Sequence, residues 1–437
     1  MTASDLGKSP RGATAEDRGA IPDRVADASP VSLSAGEWPR HGSRTVPWVA
    51  GSVRGPREDR MLREIDVSIP PLIANLVYSP LPQTAIALED AVREIVATDV
   101  GYGTQLNALG PFLIRAESVA SSKIESIEAS PNEYARAICG VKSNENAVSI
   151  VNAAEALRNL VNAAGSGRIE LDDILSAHHD LMEDDTTDRE FAGRIRPMQN
   201  WILGSNHSPR GAVHIPPPPE MVREYMEDLL VFANRDDVPA VAQAAIVHVQ
   251  FESIHPFTDG NGRVGRALIN AVLRRRGMTT STVVPVAAAM DAQRSHYFDL
   301  VNNYRSGELE PFVLDLARLA SVASREARTS ARAIQALPGE WSRMSRPRAG
   351  SAAAAIVGVL VDHPVFGAEE AEALLAGIST ASVYEALARL ETDGVIHEVT
   401  ARKRNKVWAA SRVMDELDKL NSRIGRALVE GSAGVGS

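Results

Sequence analysis

The stretch His255-Pro256-Phe257-Thr258-Asp259-Gly260-Asn261-Gly262-Arg263-Val264-Gly265-Arg266 lies between two apolar helical patterns, Val241 to Ile254 and Val264 to Arg275. Pro256 keeps His255 out of the helical region and ends the first helix. Asp259-Gly260 and Asn261-Gly262 are consecutive turn dipeptides. Such a loop turns successive backbone N–H groups into one concavity, and it opens onto a helix N-terminus that favours anions. Arg263 and Arg266 share a face of the new helix at i and i+3. Asp259 is a hard oxygen ligand suited to Mg²⁺ beside phosphates. His255 stands at the pocket edge with an expected pKa near neutrality, suited to taking a proton from a hydroxyl. Base, cation ligand, anion nest and paired arginines together describe phosphoryl or nucleotidyl transfer.

Composition bounds the rest. The chain has 437 residues, a net charge of -10 and one cysteine, Cys139. Length suggests about three domains. The acidic balance gives no general pull toward DNA or acidic membranes. A lone cysteine excludes an internal disulfide framework and a Cys-rich zinc module. The N-terminus shows no apolar targeting run, and Val283 to Met290 is far too short to span a bilayer, so a cytoplasmic protein is expected.

Residues 1–60 are rich in Gly, Ser, Pro, Ala, Asp and Arg and read as a disordered leader, with Ile21, Trp38 and Trp48 as spots that could dock locally. Apolar spacing predicts helices over 81–97, 107–129, 131–139, 144–163, 171–182, 218–234, 238–252, 263–276, 290–305 and 310–335. Arg196 to Ile202 and Val213 to Ile215 read as a short β-hairpin, ended by the Pro216–Pro219 run. The expected order is a helical domain over 61–155, a catalytic domain over 156–335, a linker over 336–350, a further domain over 351–425 and a flexible tail over 426–437. His248 reads as a packed core histidine, and His178-His179-Asp180 as part of a helix rather than a metal pair.

The His255–Arg266 stretch resembles the signature of the Fic family, His-Pro-Phe-x-Asp/Glu-Gly-Asn-Gly-Arg-x-x-Arg, at every specified position. Gly193-Arg194-Ile195-Arg196 through Pro219 resembles that family's flap, and Arg294, Tyr297, Phe298, Leu300 and Arg305 its nucleotide-pocket helix. The resemblance implies a mainly α Fic-type bundle with a short β-hairpin flap, and transfer of AMP from ATP to a hydroxyl of a target protein or of the chain itself. By position it makes His255 the general base and Asp259 the Mg²⁺ ligand. Gly260, Asn261 and Gly262 become the anion hole, with Asn261 touching phosphate. Arg263 binds the phosphates, Arg266 holds the γ-phosphate, and Tyr297 lines the nucleotide pocket. Gln199, Asn200, Trp201 and Ile202 would take the target segment as an added strand.

Arg115 to Ser126 resembles the family's inhibitory helix, Ser/Thr-x-x-x-Glu-Gly/Asn. Ser121 and Glu125 match, and Ser126 departs. Glu125 can pair bidentately with Arg266 and remove the arginine that the γ-phosphate needs. In some members the same glutamate supports removal of AMP, so reverse activity stays open.

Residues 351–412 resemble a winged helix-turn-helix, with a basic wing tip. Arg402, Lys403, Arg404 and Lys406 are the candidate DNA contacts, opposed by Glu369, Glu370, Glu372, Glu385 and Glu391. Two readings therefore stand: an autoinhibited Mg²⁺/ATP-dependent adenylyltransferase, or a nucleotide-sensing DNA-binding regulator. The intact His255 favours the enzyme. The target is not legible, and a homodimer is compatible with the family.

Overall fold

The computed structural model describes residues 30–49, 55–103, 106–375, 377–400, 402 and 406–433, and they are mainly helical. The chain opens with strands β1 (Val31–Ser32) and β2 (Gly42–Pro47), a short helix α1 (Arg57–Met61), and strands β3 (Glu64–Ile69) and β4 (Leu76–Val77). Helices α2 (Pro82–Thr98), α3 (Leu109–Ile124), α4 (Pro131–Ile138), α5 (Glu145–Ala164) and α6 (Leu171–Met182) precede the flap. After it come α7 (Pro219–Ala233), α8 (Ala240–Ile254), α9 (Asn261–Arg275), α10 (Val286–Ala292), α11 (Arg294–Tyr304) and the long α12 (Glu310–Ser345). The last part holds α13 (Ala352–Val359), β5 (Val365–Gly367), α14 (Ala368–Leu374), α15 (Thr380–Thr392), β6 (His397–Glu398), β7 (Val407–Ala409) and α16 (Ser411–Ala433).

Local chemistry starts many of these helices where the sequence places them. Ser130 accepts from Glu133 N while the Glu133 carboxylate accepts from Ser130 N, a reciprocal cap ahead of Pro131. Asn144 caps α5 by accepting from Ala147 N. Every residue of α8 is buried, so it forms the axis of the core, with α7, α9 and α12 packed around it. Its polar members are held by partners: Gln243 Nε2 donates to the carbonyls of Phe232 and Arg235, and Gln250 Oε1 accepts from Tyr304 OH at 2.6 Å.

Three expectations need correction. The leader does not stay disordered through residue 60. β1 runs parallel to β4, and β2 pairs antiparallel with β3 from Gly42–Ile69 to Pro47–Glu64. Trp38 is buried, donates to Tyr304 OH and meets Tyr78 edge-on. Removing that ring from water is worth roughly 3 kcal/mol, enough to hold a segment with little other apolar content. Backbone at Gly307 comes so close to the Trp38 carbonyl that a Cβ would sit 2.8 Å from it, at a φ of +92°. Ile21 lies outside the described residues. Second, the expected linker over 336–350 is largely helical, because α12 runs on through Pro338 to Ser345, with Leu337 and Trp341 buried. Tertiary burial there outweighs the ladder bond that a proline removes. Third, the expected tail over 426–437 begins inside α16, which packs against α12, α10 and α3.

The C-terminal part places α13, α14 and α15 beside a three-stranded antiparallel sheet in the order β5-β7-β6. Its sheet touches the body of the protein: Arg136 of α4 donates to Val399 O at 2.8 Å, and His397 Nε2 lies 3.0 Å from Asn132 Oδ1. Among the described residues no helix is long and apolar enough to cross a membrane.

Candidate active site

The loop between α8 and α9 is built from backbone geometry that few residues tolerate. His255 closes α8 by donating its N–H to Phe251 O, and takes a left-handed conformation at φ 50° and ψ 63°. The proline rule excludes the right-handed helix here, and the structure answers with the left-handed region rather than an extended one. That geometry carries strain in a non-glycine residue and is concentrated at working sites. Gly260 caps α9 at φ 75°. Asn261 ties the loop shut: its Oδ1 accepts from Phe257 N and its Nδ2 donates to Phe257 O, both at 2.9 Å. Its carboxamide thus holds the loop closed with Oδ1 and one Nδ2 hydrogen.

Arg266 is almost fully buried and gathers the expected brake residues. Its Nη2 donates to Glu125 Oε1 at 2.7 Å and to Ser121 O at 2.9 Å, and its Nε donates to Ser121 Oγ at 2.9 Å. Pairing with Glu125 is therefore one charged hydrogen bond, not the bidentate fork read from sequence, because Ser121 takes Nε and the second hydrogen of Nη2. Burial works to lower the Arg266 pKa, and Glu125 together with Tyr297 and Glu252 more than offsets it. A Cβ on Gly262 would collide with Glu125 Oε1, so the carboxylate rests directly on the turn that would receive an anion.

Ser126 follows Glu125 at φ 64°, and the turn closes with Ser126 N donating to Lys123 O and Ile127 N to Ser122 O. Gly and Asn are the residues that adopt left-handed backbone at least cost, so Ser126 carries strain there. Arg294 compensates by donating to Ser126 Oγ and to Ile124 O. Ser126→Gly should raise the stability of the full chain by about 1 kcal/mol, read as a higher urea midpoint.

Arg263 is also buried; its Nη1 donates to Ser149 Oγ at 2.7 Å, and its Nη2 stands 3.5 Å from Asp259 Oδ2. Asp259 is exposed, with 58% of its side chain open, and so can meet a ligand. Among the described residues no group of three or more His, Cys, Asp or Glu gathers into a metal site. A single open carboxylate beside an anion nest still fits Mg²⁺, which takes one or two carboxylates plus phosphate oxygens.

His255 is half-buried, and burial followed by the charges of Arg196 and Arg305 lowers its pKa to about 3. The expected near-neutral pKa is thus replaced by a ring that is uncharged throughout the physiological range. Flap residues surround it. Arg196, fully buried, donates from Nε to His255 O, from Nη1 to Met198 O and from Nη2 to Pro217 O. It joins both arms of the flap to the end of α8. Asn200 Nδ2 reaches His255 Nδ1 at 2.9 Å and Phe257 O at 2.8 Å. Gln199 Nε2 donates to Pro216 O, and Trp201 Nε1 to Ser205 O. The hairpin itself is slight, a single bridge between Ile202 and His214. Its tip is pinned from outside by Asp59 of α1, which accepts from Ser205, Ser208 and Arg210. Trp48 lies edge-on to Trp201.

Tyr297 differs from its expected place on a nucleotide pocket. It is 3% exposed, its hydroxyl lies 2.9 Å from His248 Nε2, and it interacts with Arg266. His248 is fully buried, in keeping with a core role. His178 stacks on Phe257 at 3.7 Å, accepts from Gly193 N and bonds Asp259 O. It holds the loop rather than a metal. Arg402 is exposed and Lys406 pairs with Glu398 at 2.7 Å. Lys403 and Arg404 lie outside the described residues.

Two buried carboxylates near Arg266 had no signal in a single sequence. Glu117 accepts from Ala287 N and leaves its other oxygen without a partner, and Glu252 lies against Gly265. Glu117, on α3, also sits about two helical turns before Glu125, which caps that helix. Burial pushes Glu117 up to about 8 against the opposing pull of Ala287 N and Arg266, from an ordinary 4.5. Burial likewise raises Glu252 to about 7. Between these limits the folded chain holds protons that the unfolded chain has lost, so raising the pH from about 5 to about 8 removes stability. Glu117→Gln should flatten that fall, measured as Tm against pH.

Residues 168–273 match the model of the Fic/DOC family. This segment is a Fic/DOC domain. The protein adenylyltransferase fic-1 of Caenorhabditis elegans is 31% identical over 153 residues, which cover 34% of this chain and 27% of the relative. The protein adenylyltransferase Fic of Nematostella vectensis is 31% identical over 156 residues, 35% of this chain and 33% of the relative. The chain thus spans about a third or less of the curated relatives it matches. Among solved structures, a Fic family protein from Desulfovibrio desulfuricans G20 aligns with a TM-score of 0.48 at 20% identity, covering 76% of this chain and 97% of that one. Fic-1 of C. elegans aligns with a TM-score of 0.45 at 22% identity, covering 58% and 75%. The Fic domain holds His255 through Arg266, while Ser121, Glu125 and Glu117 come from outside the matched segment.

Proposed function

We propose that this protein is an adenylyltransferase that moves AMP from ATP onto a hydroxyl of a protein target or of itself, and that Glu125 restrains it. The observation that carries this reading is the 2.7 Å bond from Arg266 to Glu125, with that carboxylate seated on Gly262. A negative group of the chain occupies the position prepared for a phosphate.

In the reaction, the target hydroxyl oxygen bonds to the α-phosphorus while the bond to pyrophosphate breaks, and pyrophosphate leaves with the electron pair. His255 takes the hydroxyl proton. The backbone N–H groups around Gly260 and Gly262, with Arg263 and a released Arg266, hold the phosphates in line. Asp259 would hold Mg²⁺, which when bound would neutralise phosphate charge. The flap arm from Gln199 to Ile202 would receive the target segment. Incubating the Glu125→Gly chain with ATP labelled at the α-phosphate tests the reading; absence of label on the chain and on lysate proteins sinks it.

The C-terminal part has the helix and sheet order of a winged helix-turn-helix. The bonds from Arg136 to Val399 and between His397 and Asn132 favour an internal protein contact for its sheet over a free DNA-binding face. The DNA reading predicts salt-sensitive duplex binding that is lost when Arg402, Lys403 and Arg404 are neutralised.

A further inference from the structure

The side chain of Asn200 decides which nitrogen of His255 carries hydrogen. Its Nδ2 lies 2.8 Å from Phe257 O, which can only accept. Exchanging the amide's oxygen and nitrogen would set two oxygens against each other, so the NH₂ group faces this carbonyl. The same NH₂ lies 2.9 Å from His255 Nδ1 and offers its second hydrogen there. An Nδ1–H would clash with that hydrogen, so Nδ1 carries the lone pair. A neutral imidazole has one hydrogen, which must then sit on Nε2. The ring's Nε2 has no hydrogen-bond partner among the described residues. The backbone fixes the ring from the other side: Arg196 holds His255 O and donates its own N–H to Pro256 O. Asn200 Oδ1 is buried with no partner, so the amide keeps this orientation for the sake of its two donor bonds.

We propose that Asn200 is a positioning residue that holds His255 in the resting chain as the Nε2–H tautomer and caps its lone pair at Nδ1, a second restraint independent of Glu125. The proposal rests on His255 being the base of the adenylyl transfer. In the resting tautomer Nε2 is a donor and Nδ1 is occupied, so neither nitrogen can accept the proton of a target hydroxyl. The amide N–H of Asn200 stands toward Nδ1 as a substrate O–H would. Asn200 belongs to the flap arm expected to take the target, between Gln199 and Trp201, so docking there can draw it away. The hydroxyl O–H bond then breaks with its proton passing to the freed ring nitrogen, the oxygen–phosphorus bond forms, and pyrophosphate departs with its electron pair. Base activation is in this way tied to target docking, while release of Arg266 from Glu125 governs the nucleotide.

Histidine ring ¹⁵N spectra of the full chain test this, with the His255 signals identified by their loss in His255→Gln. Hydrogen on Nε2 in the wild-type chain is the expected result, and this measurement needs no variant at Asn200. Asn200→Ala should give a mixture of the two tautomers. Added to Glu125→Gly, it should raise self-labelling about fivefold, the weight of one hydrogen bond. Hydrogen on Nδ1 in the wild-type chain overturns the proposal. Labelling that stays level or falls in the double variant overturns the restraint. If no chain takes label, the adenylyltransferase reading fails, while the spectrum still decides whether Asn200 sets the tautomer.

Discussion

Glu125→Gly will raise AMP transfer by roughly tenfold to a hundredfold, the range spanned by one charged hydrogen bond. Arg266 loses its carboxylate partner in that variant but keeps both bonds to Ser121, so its guanidinium stays in place. The turn over Gly262 becomes open to a phosphate, and the freed Nη2 can bind it. Glu125 is about a third exposed, so its removal leaves no buried hole, and folding should be little affected. Self-labelling by α-phosphate-tagged ATP measures the change, with the wild-type chain beside it. A Glu125→Gly chain that labels no faster than wild type would show that the pairing is not a brake. Glu125→Gln separates the two effects of the residue: it keeps the shape and removes the charge, and should give an intermediate rate.

His255→Ala in the Glu125→Gly background will reduce that labelling by roughly 10²- to 10⁴-fold, the span of general base catalysis. The loss should come from chemistry and not from unfolding, since the bond from Arg196 and the Phe251 cap both use His255 backbone atoms. A His255 pKa of about 3 also fixes the pH response. Above that value the ring is neutral, so labelling by the Glu125→Gly chain should not rise through an imidazole titration between about pH 5 and 8. A sigmoid rise centred near the ordinary histidine value of 6.5 would contradict the burial seen around the ring.

Much of the site was legible because it is local. The proline after His255, the two glycine turns and the arginines at i and i+3 act within one loop and one helix turn, and each has a backbone reason. Helices α4 through α9 fall where apolar spacing puts them, and α4 and α5 start on side-chain caps that also lie within a few residues. What was misread is non-local. Trp38 belongs to a stretch whose composition argues for disorder, and only Tyr304 and Tyr78 explain why it stays put. Pro338 marks a linker by composition, yet Leu337 and Trp341 are buried and the helix continues. Tyr297 carries a ring suited to a base, and its contact with His248 turns it inward.

Which candidate groups meet in one loop, His255, Asp259, the two glycine turns and the arginines Arg263 and Arg266, was determined by the sequence alone, because covalent spacing sets it. Tertiary structure alone decided their state. It brought Glu125 from the C-cap of α3 to Arg266, capped His255 with Asn200 of the flap, and buried Glu117 and Glu252 without full partners. The reason is physical: protonation, tautomer and pairing depend on solvent exclusion and on neighbours distant in sequence, and neither is written in the spacing of a single segment.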